Sequence, residues 1–108
     1  MGSKISTPIK QFAWVNFNGT TGAINDSSGV ASVTRNNAGD YTIVWSKSFA
    51  NANYCFVAWA NVVTEFSMVN GPAANPLTTD QAHILIANRL GAVQDPTVVC
   101  AMATGDKW

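Results

Sequence analysis

Charge is scarce in this chain. Only 11% of its 108 residues are Asp, Glu, Lys or Arg, less than half the roughly 25% usual in a soluble domain. Six basic residues offset six acidic ones, and the formal net charge at pH 7 is zero. Nucleic-acid binding draws on clustered Lys and Arg, and no such run stands in the sequence, so nucleic acid is not an expected partner. Cysteine is scarce as well. Cys55 and Cys100 both sit in apolar runs and read as two buried reduced thiols, because a free Cys behaves as a small hydrophobe. A disulfide between them would need neighbouring strands with the right geometry. Long hydrophobic runs are missing: the longest, Tyr54–Ala60, falls far below the ~20 residues of a membrane-spanning helix. Nothing after Lys4 has the apolar stretch of a signal peptide. Sustained helical periodicity is missing too, which leaves no amphipathic helix to cover a sheet.

What is present is apolar and uncharged-polar. Apolar residues make up 47% of the chain and four of them are Trp, a composition that folds. The length suits one domain. We read residues 1–10 as an N-terminal arm or cloning remnant and 11–108 as a single β-sandwich domain. With so few charges to keep copies apart, the surface suits a subunit packed against others.

Turn signals recur about every ten residues, the pattern of an all-β domain of short strands. Strands are expected at 11–18, at a short segment 23–25, at 30–35, 41–46, 54–63, 66–69, 82–89 and 97–104. The polar stretch 26–29 reads as a turn. Residues 36–40 (NNAGD) hold types that tolerate positive φ and read as a hairpin loop. Gly71–Pro72 and Asn75–Pro76 break the pattern between 66 and 81, so a long loop is expected there. The expected fold is all-β, an antiparallel β-sandwich of about seven to eight short strands.

Side-chain alternation separates the strands into two kinds. In 41–45, Tyr41, Ile43 and Trp45 form one core face. In 11–18, Ala13, Val15 and Phe17 lie on one parity, and Phe12 and Trp14 lie on the other. Residues 54–60 are apolar on both parities, and 83–87 nearly so. A two-layer domain gives each sheet one inner face, so strands apolar on both sides call for a second cover. With no helix available, a neighbouring subunit is the expected cover, with Trp14 and Trp59 at the subunit interface.

Chemistry is thinly represented. His83 has no second His at ligand spacing, so no metal and no cofactor is expected. The carboxylates Asp26, Asp40, Glu65, Asp80, Asp95 and Asp106 are scattered at turns, where they hydrogen-bond backbone. No pair reads as a glycosidase acid and nucleophile, and neither Cys has the setting of a nucleophile. The expectation is a non-enzyme. Uncharged polar side chains in the loop 70–80 can hydrogen-bond sugars. Asn70, Asn75, Thr78, Thr79 and Asp80, with Trp108 at the chain end, are therefore the candidate receptor-binding residues.

Several motifs stand together. The run AWVNFNG at 13–19 resembles the opening of a small β-rich domain of tailed-bacteriophage tail fibres and tail-tip proteins. VASVT at 30–34 followed by NNAGDYTI at 36–43 is similar to that family's "VSSVT…GDYTV" hairpin. FANANY at 49–54 resembles its "F…ANY" approach to the next strand, and the run 97–103 resembles its closing apolar strand. Trp45 stands where Phe is more usual, and Cys55 where a small apolar residue is usual. The resemblance implies a homotrimeric fibre domain near the host-contacting end of a virion tail, made in the host cytoplasm. Its implied partners are other tail proteins and a bacterial cell-surface glycan or protein, bound by multivalent adhesion. The alternative is a monomeric carbohydrate-binding module, which requires exposed Trp side chains on one face and no symmetric interface.

Overall fold

The computed structural model describes residues 10–61, 68–70, 77–87, 92–93 and 95–107. Among them are eight strands and no helix. They are β1 (Lys10–Phe17), β2 (Ile24–Ser28), β3 (Val30–Asn37), β4 (Asp40–Trp45), β5 (Cys55–Ala60), β6 (Met68–Asn70), β7 (Gln81–Ala87) and β8 (Val99–Asp106). They form two four-stranded antiparallel sheets. Sheet A has the order β2-β1-β8-β5 and sheet B the order β3-β4-β7-β6.

The layers face each other through one parity of each strand. Sheet A sends in Ala13, Val15 and Phe17 from β1, Ala60 from β5, and Val99, Ala101 and Ala103 from β8. Sheet B sends in Tyr41, Ile43 and Trp45 from β4, and Ala82, Ile84 and Ile86 from β7. The Phe17 ring meets Tyr41 edge-on across the layers at 5.1 Å. Trp45 packs edge-on against Phe49, Tyr54 and Phe56. Bulk is unevenly divided: alanines dominate the inner face of sheet A, while Tyr, Trp and Ile dominate that of sheet B. Small side chains opposite large ones suit close packing between the layers.

Several elements differ from the sequence expectation, each for a physical reason. β2 runs through residues 26–28, which read as a turn. Ser28 pairs with Trp14, Ser27 with Val15 and Asp26 with Asn16. As an edge strand with an exposed surface, β2 needs backbone pairing and no apolar alternation. The 36–40 loop is tighter than expected, since Asn37 already pairs with Asp40. The two-residue turn through Ala38 and Gly39 works because Gly39 adopts φ +68°, a region that a Cβ disfavours. β8 begins at Val99, two residues later than expected. Asn61 holds Val98 outside the strand through its Oδ1, which accepts from the Val98 N–H at 2.9 Å, and through its own N–H, which donates to the Val98 carbonyl. β8 then continues to Asp106, because β1 pairs with it down to Lys10. The expected extensions at 62–63, 66–67 and 88–89 lie outside the described residues.

Candidate functional site

The outer face of sheet A carries several large apolar side chains. Pairing places Trp14, Met102 and Val57 in one row across β1, β8 and β5, and Asn16, Cys100 and Trp59 in the next. Phe12 opens the face at its rim, opposite Thr104. Exposure is 58% for Trp59, 51% for Val57, 55% for Phe12 and 42% for Met102; Trp14 is half-buried. Their rows enclose an open groove of about 470 Å³, walled by Trp14, Val57, Trp59, Cys100 and Met102. Asn16 supplies the groove's polar side chain, and its amide is already engaged. Its Nδ2 donates to Cys100 Sγ at 3.4 Å, and its Oδ1 accepts from Asn25 Nδ2 at 2.9 Å.

Both interface candidates, Trp14 and Trp59, therefore lie on this one face, while Trp45, on the opposite parity of its strand, is buried. The cysteines correct the sequence reading. Cys55 is exposed and Cys100 half-buried, and both are free thiols. They sit on the outer parity of β5 and β8, opposite Thr104 and Trp59 respectively. Cys55 and Trp59 are four residues apart, about 13 Å along a strand, too far for a Cys55–Cys100 disulfide.

The candidate receptor residues fall elsewhere. Asn70 closes β6 opposite Leu85. Thr78, Thr79 and Asp80 form the turn that leads into β7 of sheet B. That turn is bonded into the core. Thr78 Oγ1 accepts from the Asp80 and Gln81 N–H groups, and the Thr79 carbonyl accepts from Phe49 N–H. The Tyr54 hydroxyl lies 2.8 Å from the Thr78 carbonyl and accepts from Trp45 Nε1. The Asp80 carboxylate accepts from Ser48 Oγ. Asn75 and Trp108 lie outside the described residues. The structure does not bring this turn together with the Trp14–Trp59 face.

Two polar clusters were not read from the sequence. Asp95 sits between the layers' ends as an anchor. Arg35 donates to it through Nη2 at 2.6 Å and Nε at 3.3 Å, and the Gly39 N–H donates at 2.9 Å. The Tyr41 hydroxyl, donating to the Gly19 carbonyl at 2.6 Å, lies 3.1 Å from the same carboxylate. The Arg35 hydrogen bond, with help from Gly39 and Tyr41, holds the Asp95 carboxyl below the usual carboxylate range. Burial, then the Asp95 charge, pushes the Tyr41 phenol up. On the outer parity of sheet B, His83 Nε2 contacts the Asp40 carboxylate, which also accepts from Asn36 Nδ2. His83 Nδ1 is buried with no partner among the described residues. Only the Asp95–Pro96 turn signal hinted at the first cluster. Nothing local signals the second.

Among the described residues, no group of three His, Cys, Asp or Glu is arranged to hold a metal ion, and no helix is long and apolar enough to cross a membrane. No family model, no curated protein and no solved structure matches this chain.

Proposed function

We propose that this chain is a structural and host-attachment domain of the bacteriophage tail-fibre type. It works without catalysis, as a homotrimer joined through the outer face of sheet A. The observation that carries this reading is the distribution of bulk in that sheet. Four alanines share its inner face with Val15, Phe17 and Val99, while Trp14, Val57, Trp59 and Met102 point out. Such a patch, three strands wide, reaches a few hundred Å², the scale of a functional surface. Two indoles at its centre are the side chains that dominate interface energetics. No charged side chain stands in the two central rows of β1, β8 and β5, so like copies meet there without repulsion. The motifs at 13–19 and 36–43 support the tail-fibre assignment, and a virion tail is the corresponding location. Three copies on one axis would turn weak single contacts with a cell-surface glycan or protein into firm attachment.

A second reading has its own observation. Trp14 and Trp59 flank one open groove, as a monomeric carbohydrate-binding module requires. The groove is poor in hydrogen-bonding groups, however, and Asn16 is engaged on both sides; a sugar ring there would leave its hydroxyls unpaired. Sedimentation equilibrium separates the two readings. The fibre domain has about three times the 11.5 kDa chain mass, and Trp59→Lys reduces it to the single-chain value with the β-sheet circular dichroism retained. A single-chain mass for the parent protein overturns the assembly reading.

A further inference from the structure

Covering the outer face of sheet A puts one polar group at risk. Its central rows run Trp14, Met102, Val57 and Asn16, Cys100, Trp59 across β1, β8 and β5. Among these side chains Asn16 alone is a carboxamide. In the separate protomer Asn16 is only half-buried, so water can serve any bond that its amide lacks. A second copy laid over the face expels that water. A carboxamide oxygen without a donor would then count against the assembly.

β2 supplies the donor in advance. Asn16 pairs with Asp26 and Phe17 with Ile24, so Asn25 is an extra residue that faces no residue of β1, a β-bulge. Strict alternation would send Asn25 to the side opposite Asp26, which shares the outer face with its partner Asn16. The bulge releases Asn25 from that alternation, and its Nδ2 donates to Asn16 Oδ1 at 2.9 Å. Asn16 Nδ2 in turn donates to Cys100 Sγ at 3.4 Å. The bonds run across β2, β1 and β8 and engage both ends of the Asn16 amide within one protomer. Asn25 itself is exposed and belongs to an edge strand, outside the Trp14 and Trp59 rows.

We propose that Asn25 is a positioning residue for assembly. It satisfies the Asn16 oxygen inside the protomer, so that another copy can cover the face without leaving that oxygen unpaired. This rests on the reading of the face as the surface where copies meet. It accounts for a carboxamide at the centre of an apolar patch and for the bulge in the adjoining strand. The effect belongs to assembly, because in the separate chain water replaces a missing donor at little cost.

Sedimentation velocity over a concentration series tests this, with urea unfolding of the dilute, separate chain beside it. In Asn25→Ala the concentration at half assembly should rise at least about tenfold, while the urea midpoint stays at the parent's value. Asn16→Val removes the carboxamide, and in that background Asn25→Ala should change assembly by less than about twofold. Cys100 gives an independent arm. Cys100→Ala takes away the acceptor of Asn16 Nδ2 and should weaken assembly, and Cys100→Ser, which keeps an acceptor, should weaken it less. A trimeric parent whose Asn25→Ala variant assembles at the parent's concentration overturns this inference and leaves the assembly reading standing. So does a loss of the same size with and without Asn16→Val, since Asn25 would then act through β2 alone. A parent of single-chain mass overturns both.

Discussion

A single aspartate is tied to one hairpin more than fifty residues earlier in the chain. Asp95 accepts from Arg35 on β3 and from Gly39 in the β3–β4 turn, and it sits beside Tyr41 on β4. Its lowered pKa makes it a source of acid sensitivity. A carboxyl depressed by folding contributes stability that is present above its unfolded value, about 3.9, and lost as pH falls through its folded value. Urea midpoints should therefore hold steady from neutral pH to about pH 5 and fall below about pH 4. Asp95→Asn should cost about 1–3 kcal/mol at neutral pH, because Arg35 loses its anion, and should flatten the acid limb. The tyrosines act at the other extreme. Burial raises the pKa of Tyr41 and of Tyr54, so their protonated forms favour the folded state up to about pH 10, and that contribution is lost as pH rises further. Tyr41→Phe, which removes the donor to the Gly19 carbonyl, should cost about 1 kcal/mol and soften the alkaline fall.

Strands show how much one parity step decides. Trp45 and Trp59 are the same residue type and both lie in strands, yet one is 4% exposed and the other 58%. Trp45→Ala should lower unfolding free energy by about 3–5 kcal/mol, measured by urea denaturation. Trp59→Ala should leave the protomer's unfolding within about 0.5 kcal/mol while shifting its sedimentation towards the single chain. Equal destabilisation by both would place Trp59 in the folding core. The alternation of 41–45 was legible because one parity is apolar and the other carries Asp40, Thr42 and Ser46. β5 was not legible in this way, since Phe56, Ala58 and Ala60 compete with Cys55, Val57 and Trp59 for the inside. β2 was missed beyond residue 25 because an edge strand held by backbone pairing carries no side-chain pattern. The shift of β8 follows from Asn61, whose side chain captures Val98 before the ladder begins, a partner 37 positions away.

At the scale of the whole molecule, the proposed assembly rests on one surface, the outer face of sheet A. Assembly through Trp14, Val57, Trp59 and Met102 is apolar. The trimer's dissociation constant should therefore barely respond to salt, and association should weaken on cooling. Sedimentation across a salt series tests this; a strongly salt-dependent dissociation constant would mean that charge holds the copies together.

Period-two alternation and turn chemistry are local, so residue order alone determined the all-β class, the hairpin at 36–40, the Tyr41–Ile43–Trp45 core face and the opposite parity of Trp14. Only the tertiary structure decided which side of β5 and β8 turned inward. The side with the smaller residues turned in, Ala58 and Ala60 beside Phe56 in β5 and Val99, Ala101 and Ala103 in β8, opposite the Tyr, Trp and Ile side chains of the other sheet. Packing of the two layers likewise exposed Cys55. Sheet closure also joined Asn16 to Asn25 and Cys100, and tied Asp95 to Arg35. Those meetings depend on where distant segments end in space, and the pattern around each residue carries no trace of that.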